Sequence, residues 1–347
     1  VVFDKTTTVG YAPKNTYLGD LRWETTGQWN VGLDLALLNN RIRLTADYYH
    51  KKTTNLLNDV EMPRSSGYTT ALRNVGAIRN AGVELQLDTR IIDKAVKWDF
   101  GVNLSVNRSK VLSLSDGKDI FGSTVSNTII SDQLNLMRIG EPMYVFYGYV
   151  EEGYDDNGQL VYKDLDGSDG ITPADKTIIG NPNPDCLLNF NTAVSYKGFT
   201  LSAFFQGSIG NDIYSLSMAS AAYDYSSNAN TLREVLYNHW TPEKPDAKYP
   251  NLRQDIALKM SDRFVYDGSY MRLKNLELSY NIPCSKSRVI SKARVYVSAQ
   301  NLWTITSYPF WDPDVNAKGG STSLAQGIDA SCYPGARTFT LGCRLVF

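Results

Sequence analysis

A two-residue alternation of apolar and polar side chains runs through this chain. Trp98, Phe100, Val102, Leu104 and Val106 alternate with Asp99, Gly101, Asn103, Ser105 and Asn107. Trp29, Val31, Leu33, Leu35 and Leu37 alternate with Asn30, Gly32, Asp34 and Ala36, and 42–48, 83–88, 188–195, 199–205 and 294–300 repeat the pattern. Residues two apart share one face of a strand, so each segment reads as a two-faced strand. The last eleven residues finish the series, with Phe339, Leu341, Cys343, Leu345 and Phe347 on one face. Thr338, Thr340, Gly342, Arg344 and Val346 occupy the other. One segment breaks parity: Leu276, Leu278, Tyr280 and Ile282 agree, while Met271 and Leu273 do not. A bulge or strand start near Asn275 accounts for this. About ten strands are expected, about twelve if 1–20 and 120–135 contribute.

Composition narrows the class. Net charge is −1, which gives no reason to expect nucleic acid, whose binders are usually basic. No run of 18 apolar residues is present, so no transmembrane helix is expected. A membrane-spanning strand needs only about ten alternating residues, half of them polar. The opening residues lack the basic start and apolar middle of a secretory signal, and the expectation is a partial or processed segment of a longer chain. Cys186, Cys284, Cys332 and Cys343 show no metal-ligand spacing. Cys343 is expected as a buried free thiol, and pairing of Cys186 with Cys284 stays open.

Connections supply the second signal. Turns at 37–41, 90–96 and 196–199 are short, whereas 55–81, 113–135, 154–186, 213–263 and 304–332 are long. In an up-and-down sheet this alternation gathers the long loops at one end. Outer-membrane barrels have that asymmetry, and loops this long are uncommon in compact soluble domains. Lys or Arg on the lipid face costs roughly 2–4 kcal/mol at mid-bilayer, so in a barrel Arg43, Arg294 and Arg344 must face the lumen. All three lie on the polar parity. Trp29, Trp98, Tyr48, Tyr280 and Phe347 sit near strand ends, where an interfacial aromatic girdle belongs.

Several segments resemble the SusC/RagA-type TonB-dependent outer-membrane transporters. These are 21–26 with 29–34, 47–49 with 53–57, and Asn74 to Glu84. Ile179 to Pro184, Trp240 to Glu243, Ser269 to Asn275, Asn301 to Thr304 and Asp312-Pro313-Asp314 complete an ordered set. The resemblance implies an all-β, antiparallel up-and-down transmembrane β-barrel, with 1–347 forming about the C-terminal half. The family's plug and first strands have no counterpart in the sequence. It also implies outer-membrane import of oligosaccharides or peptides, driven through TonB by the absent part, with a SusD-like surface lipoprotein over the loops and outer-membrane lipid around the wall. The alternative from a different class is a soluble β-sandwich or propeller that binds glycans.

Two groups of residues are candidate sites. Asp164, Asp166, Ser168, Asp169 and Asp175 follow the spacing of a calcium loop, in which a short turn offers several hard oxygens. Asp169 stands where such a loop requires Gly, and Asp175 replaces the usual Glu, so an acidic surface turn is the other reading. No cofactor is required; Ca2+ is the one ion suggested. Tyr214, Tyr223, Tyr225, Tyr237, Trp240 and Trp311 lie in the long connections and either line a solute vestibule or pack on each other or on a partner. Catalysis finds no support: His50 and His239 are the only histidines, and no nucleophile elbow or P-loop is present. No enzyme is expected.

Overall fold

The computed structural model describes residues 21–347 except 69, 115–116, 226–229, 253–257, 285–288 and 317–325. Within 1–20 it describes the paired strands Val2–Phe3 and Thr6–Thr7, and the rest of the expected strand there lies outside the described residues. One antiparallel sheet dominates. Its strands are β1 (Thr25–Leu37), β2 (Ile42–Glu61), β3 (Thr70–Asp93), β4 (Val96–Leu114), β5 (Cys186–Tyr196), β6 (Phe199–Ile209), β7 (Tyr270–Ile282), β8 (Lys292–Thr306) and β9 (Thr338–Val346). Order across the sheet equals order along the chain, the up-and-down topology expected. The sheet is open, with β1 and β9 at its edges.

The register turns alternation into rows. Asp34, Thr45, Gln86, Asn103, Asn189, Gln206, Arg272 and Thr304 stand side by side across β1 to β8. The row beside it is Leu35, Leu44, Leu87, Val102, Phe190, Phe205, Leu273 and Trp303. Polar rows therefore share one face and apolar rows the other. A soluble sandwich would stack a second layer on the apolar rows. Instead Leu201, Leu278 and Val297, all on interior strands, are 48%, 46% and 53% exposed. Arg43 and Arg294 lie in polar rows, and Arg344 stands opposite Arg294. Cys343 is exposed rather than buried, since its face carries no covering layer, and all four cysteines are free.

Short turns occupy 38–41, 94–95 and 197–198, and 283–291 joins strands at the same end; long connections occupy 115–185, 210–269 and 307–337, and the eight residues 62–69 join strands at the opposite end. Lys197 and Gly198 both adopt positive φ, as a two-residue hairpin turn requires. The wall has nine described strands, in line with the roughly ten expected. Two expectations need correction. Segment 55–81 is mostly strand, because β2 and β3 run on past a bulge at Asn55 (φ 57°) that disrupts the alternation but not the ladder. Segments 113–135 and 154–186 belong to one connection, whose short strands pair among themselves rather than with the wall. The break in parity near Asn275 is a register shift between Leu273 and Asn275.

The core lies in the connections. Val125, Leu134, Phe146, Tyr214, Leu216, Val235, Met260, Phe264 and Ile328 form one buried cluster drawn from 115–185, 210–269 and 307–337. These three connections make a cap at one end of the wall.

Candidate functional site

The cap is ordered by aromatic packing around one cation. Phe264 meets Tyr214 and Tyr223 edge-on, with centroids 6.0 and 5.4 Å away, and Phe146 meets Tyr214 at 6.0 Å. Arg263 sits beside them. Its guanidinium donates to the Tyr223 hydroxyl at 2.8 Å, the Tyr154 hydroxyl at 3.1 Å and the Lys248 carbonyl at 2.8 Å, and it pairs with Glu151. Burial works against that charge, but Glu151 outweighs it and holds the group firmly protonated. Burial likewise drives the Tyr223 hydroxyl far above its ordinary range and that of Tyr162 up to about 12.

This packing divides the predicted aromatic set. Tyr214 and Tyr223 are buried in the cap's core and Tyr225 packs against it, while Trp240 is buried apart from that cluster, over Gly158. These four present little surface to a solute. Tyr237 and Trp311 are 71% and 61% exposed, and Trp311 stacks on Phe310 at 4.8 Å.

A second device anchors the cap to the wall. Arg272 stands in the polar row yet is only 4% exposed. It pairs with Asp312, donates to Thr304 Oγ1 at 3.0 Å and lies 3.8 Å from Asp314. Asp312 also accepts the backbone N–H groups of Asp314 (2.9 Å) and Gly335 (3.2 Å). One carboxylate thus gathers both ends of 307–337 onto β7. The far part of that connection is tied elsewhere: Tyr308 donates to Asp329 at 2.6 Å, and Ser215 shares the Tyr308 hydroxyl at 2.8 Å. The sequence offered Arg272 and the Asp312-Pro313-Asp314 run as separate segments, and no local pattern linked them.

The acidic loop folds around Asp175. Its carboxylate accepts backbone N–H groups from Leu165 (2.7 Å), Asp166 (3.2 Å) and Thr172 (2.7 Å). Those bonds hold its pKa down to about 2. Asp164, Asp166 and Asp175 place oxygens within 4.8 Å of one another. Asp169 does not join that group. Asp164 and Asp166 each spend one oxygen on a backbone N–H, of Gly167 and Ser168 respectively. The donors are of the hard type calcium prefers.

The polar face of the wall carries its own hollow, about 750 Å³, at the short-turn end. Arg43, Asp88, Asp99, Asn191 and Asn275 line it. On the same face Tyr49 donates to Asn107 at 2.9 Å across Gly82, and Tyr296 lies over Gly342. A Cβ on Gly342 would stand 2.4 Å from the Tyr296 ring.

Comparison with known proteins adds the following. The TonB dependent receptor-like β-barrel family model matches residues 3–302. TonB-dependent receptor P3 of Formosa agariphila is 35% identical, over 94% of this chain and 34% of its own length. TonB-dependent receptor SusC of Bacteroides thetaiotaomicron is 30% identical, over 94% of this chain and 32% of its own length. Among solved structures, that of the RagAB peptide transporter superposes with a TM-score of 0.80 at 27% identity, covering 95% of this chain and 36% of that one. The chain thus spans about a third of the length of the relatives it matches.

Proposed function

The chain belongs to the TonB-dependent receptor-like β-barrel family, and on that premise we propose that it forms part of the wall and the outer cap of an outer-membrane importer. The observation that carries this is the register: apolar rows on one uncovered face, polar rows on the other. In bilayer the uncovered rows meet acyl chains, and the polar rows enclose an aqueous passage. Strands β1 and β9 pair with further strands of the full receptor, since open edges are not viable in lipid. On this reading 1–347 is the C-terminal portion of one barrel, with the plug supplied by the rest of the receptor. Energy reaches the plug through TonB.

The solute is a peptide or an oligosaccharide. Both the RagAB transporter, described as importing peptides, and SusC are related at similar distance. Exposed Tyr237 and Trp311 and the polar rows are the surfaces it meets, while a SusD-like lipoprotein covers the cap. The test is the full-length receptor in its native outer membrane. Unheated samples should run as a compact band on a gel and shift on boiling. TonB-dependent uptake of labelled peptides or oligosaccharides should vanish on deletion of the gene. A receptor that is soluble without detergent and does not shift would end this reading.

A further inference from the structure

Three cations stand in one row across β2, β3 and β4. Lys52 pairs in register with Arg79, and Arg79 with Lys110. They share the parity of Tyr48, Val83 and Val106, so they leave the wall on its apolar face. The opposite face is closed at this height. Thr53, Ile78 and Val111, the next row up, are buried, and Ile78 and Val111 pack with Leu114 and Met137. Lys52 and Lys110 are exposed. Arg79 is half-buried, and its Nε has no hydrogen-bond partner. None of the three meets a carboxylate among the described residues. Arg108, two rows below on the same face, differs: it pairs with Asp185 at 2.8 Å.

Like charges directly opposite each other destabilise a sheet. A row of three is therefore unfavourable unless an anion joins it from outside. Its position suggests which anion. Below the row, Trp29 stacks on His50 at 5.6 Å and touches Tyr48 at 5.4 Å, forming an aromatic rim. Below the rim lie the apolar rows. From Val106 to Lys110 is four residues, roughly 13 Å along the strand, or roughly 10 Å along the membrane normal at the usual tilt. That is the depth of the headgroup layer outside the hydrocarbon. Long cationic side chains reach such a layer readily.

We propose that Lys52, Arg79 and Lys110 bind the phosphate of an anionic lipid headgroup in the leaflet on the long-connection side. The proposal rests on the membrane reading given under the proposed function and adds a lipid site to it. Each cation near an anionic lipid surface contributes roughly fivefold to partition, so three contribute roughly a hundredfold.

The experiment uses the full-length receptor in nanodiscs of phosphatidylcholine mixed with phosphatidylglycerol, with retained lipids counted by native mass spectrometry. The wild type should retain phosphatidylglycerol preferentially. The triple substitution Lys52→Gln, Arg79→Gln and Lys110→Gln should lose most of that preference, while Lys52→Arg with Lys110→Arg should keep it. Arg344→Gln, on the polar face, removes one charge and should change nothing. Equal retention by wild type and triple variant overturns the site, as does an equal loss in Arg344→Gln. Displacement of the lipid by inorganic phosphate alone would make this a free-anion site and would also overturn it. Failure of the wild type to insert into any disc would instead sink the membrane reading, so the two failures are distinguishable.

Discussion

The Arg272–Asp312 pair gives the sharpest prediction about the cap. Arg272→Met keeps much of the side-chain volume and removes the cation. The two side chains are 5% and 11% exposed, so Asp312 would be left buried without its counter-charge. Removing one partner of a buried pair costs about 3–5 kcal/mol. The N–H groups of Asp314 and Gly335 still reach Asp312, so the lower end, about 3 kcal/mol, is expected. The loss falls on the connection 307–337 rather than on the wall, whose backbone ladder is untouched. Hydrogen exchange on the full receptor in detergent reads this directly. Amides around 312–314 and 335 should exchange on the order of a hundredfold faster, with β3 and β4 unchanged. Asp312→Asn should produce a similar loss, and the double variant should cost clearly less than the two singles added together. Additive costs, or unchanged exchange in 307–337, would refute the pairing as the anchor.

Further tests follow from other parts of the molecule. Asp175 has a folded pKa near 2, below its ordinary 3.8. Its contribution is therefore present above the ordinary value and lost as pH falls toward 2. Exchange protection at 165, 166 and 172 should hold at neutral pH and fade through that acid window, and Asp175→Asn should flatten the profile. Calcium added to the full receptor in a calorimeter should bind weakly through Asp164 and Asp166, and Asp164→Asn with Asp166→Asn should abolish the heat; no heat beyond dilution in the wild type removes that ion site. Gly342→Val would drive a side chain into the Tyr296 ring and should lower barrel stability by about 1–3 kcal/mol, read as a lower temperature for the heat-induced gel shift. An unchanged shift temperature would mean that Tyr296 does not rest on Gly342.

Much of the wall was legible because period two is enforced wherever one face must be apolar. Strand β4 shows it plainly from Trp98 to Val106. The signal failed where the physical demand changed. At the outer end of β4 the faces invert, with Lys110 outward and Val111 inward, because cap residues now cover the inner side. At Asn55 a bulge broke the count while hydrogen bonding continued. Cap residues have no periodicity to read: Tyr214, Phe264 and Ile328 join one core from distant loops. Composition alone could not tell a solute-facing aromatic such as Trp311 from a packing one such as Tyr223. Nor could any local rule join Arg272 to a carboxylate forty residues away.

The most direct measurement concerns which face of the wall meets lipid. Single cysteines carrying a fluorophore, placed at 85, 104 and 188 on an apolar row and at 86, 103 and 189 on the adjacent polar row, would be compared in the full receptor in nanodiscs, with the native cysteines replaced. Quenchers attached to lipid tails should act on the first three and spare the second three, while a water-soluble quencher should not reach the first three. Quenching by lipid tails at 86, 103 and 189, or equal quenching of both rows, would contradict the assignment.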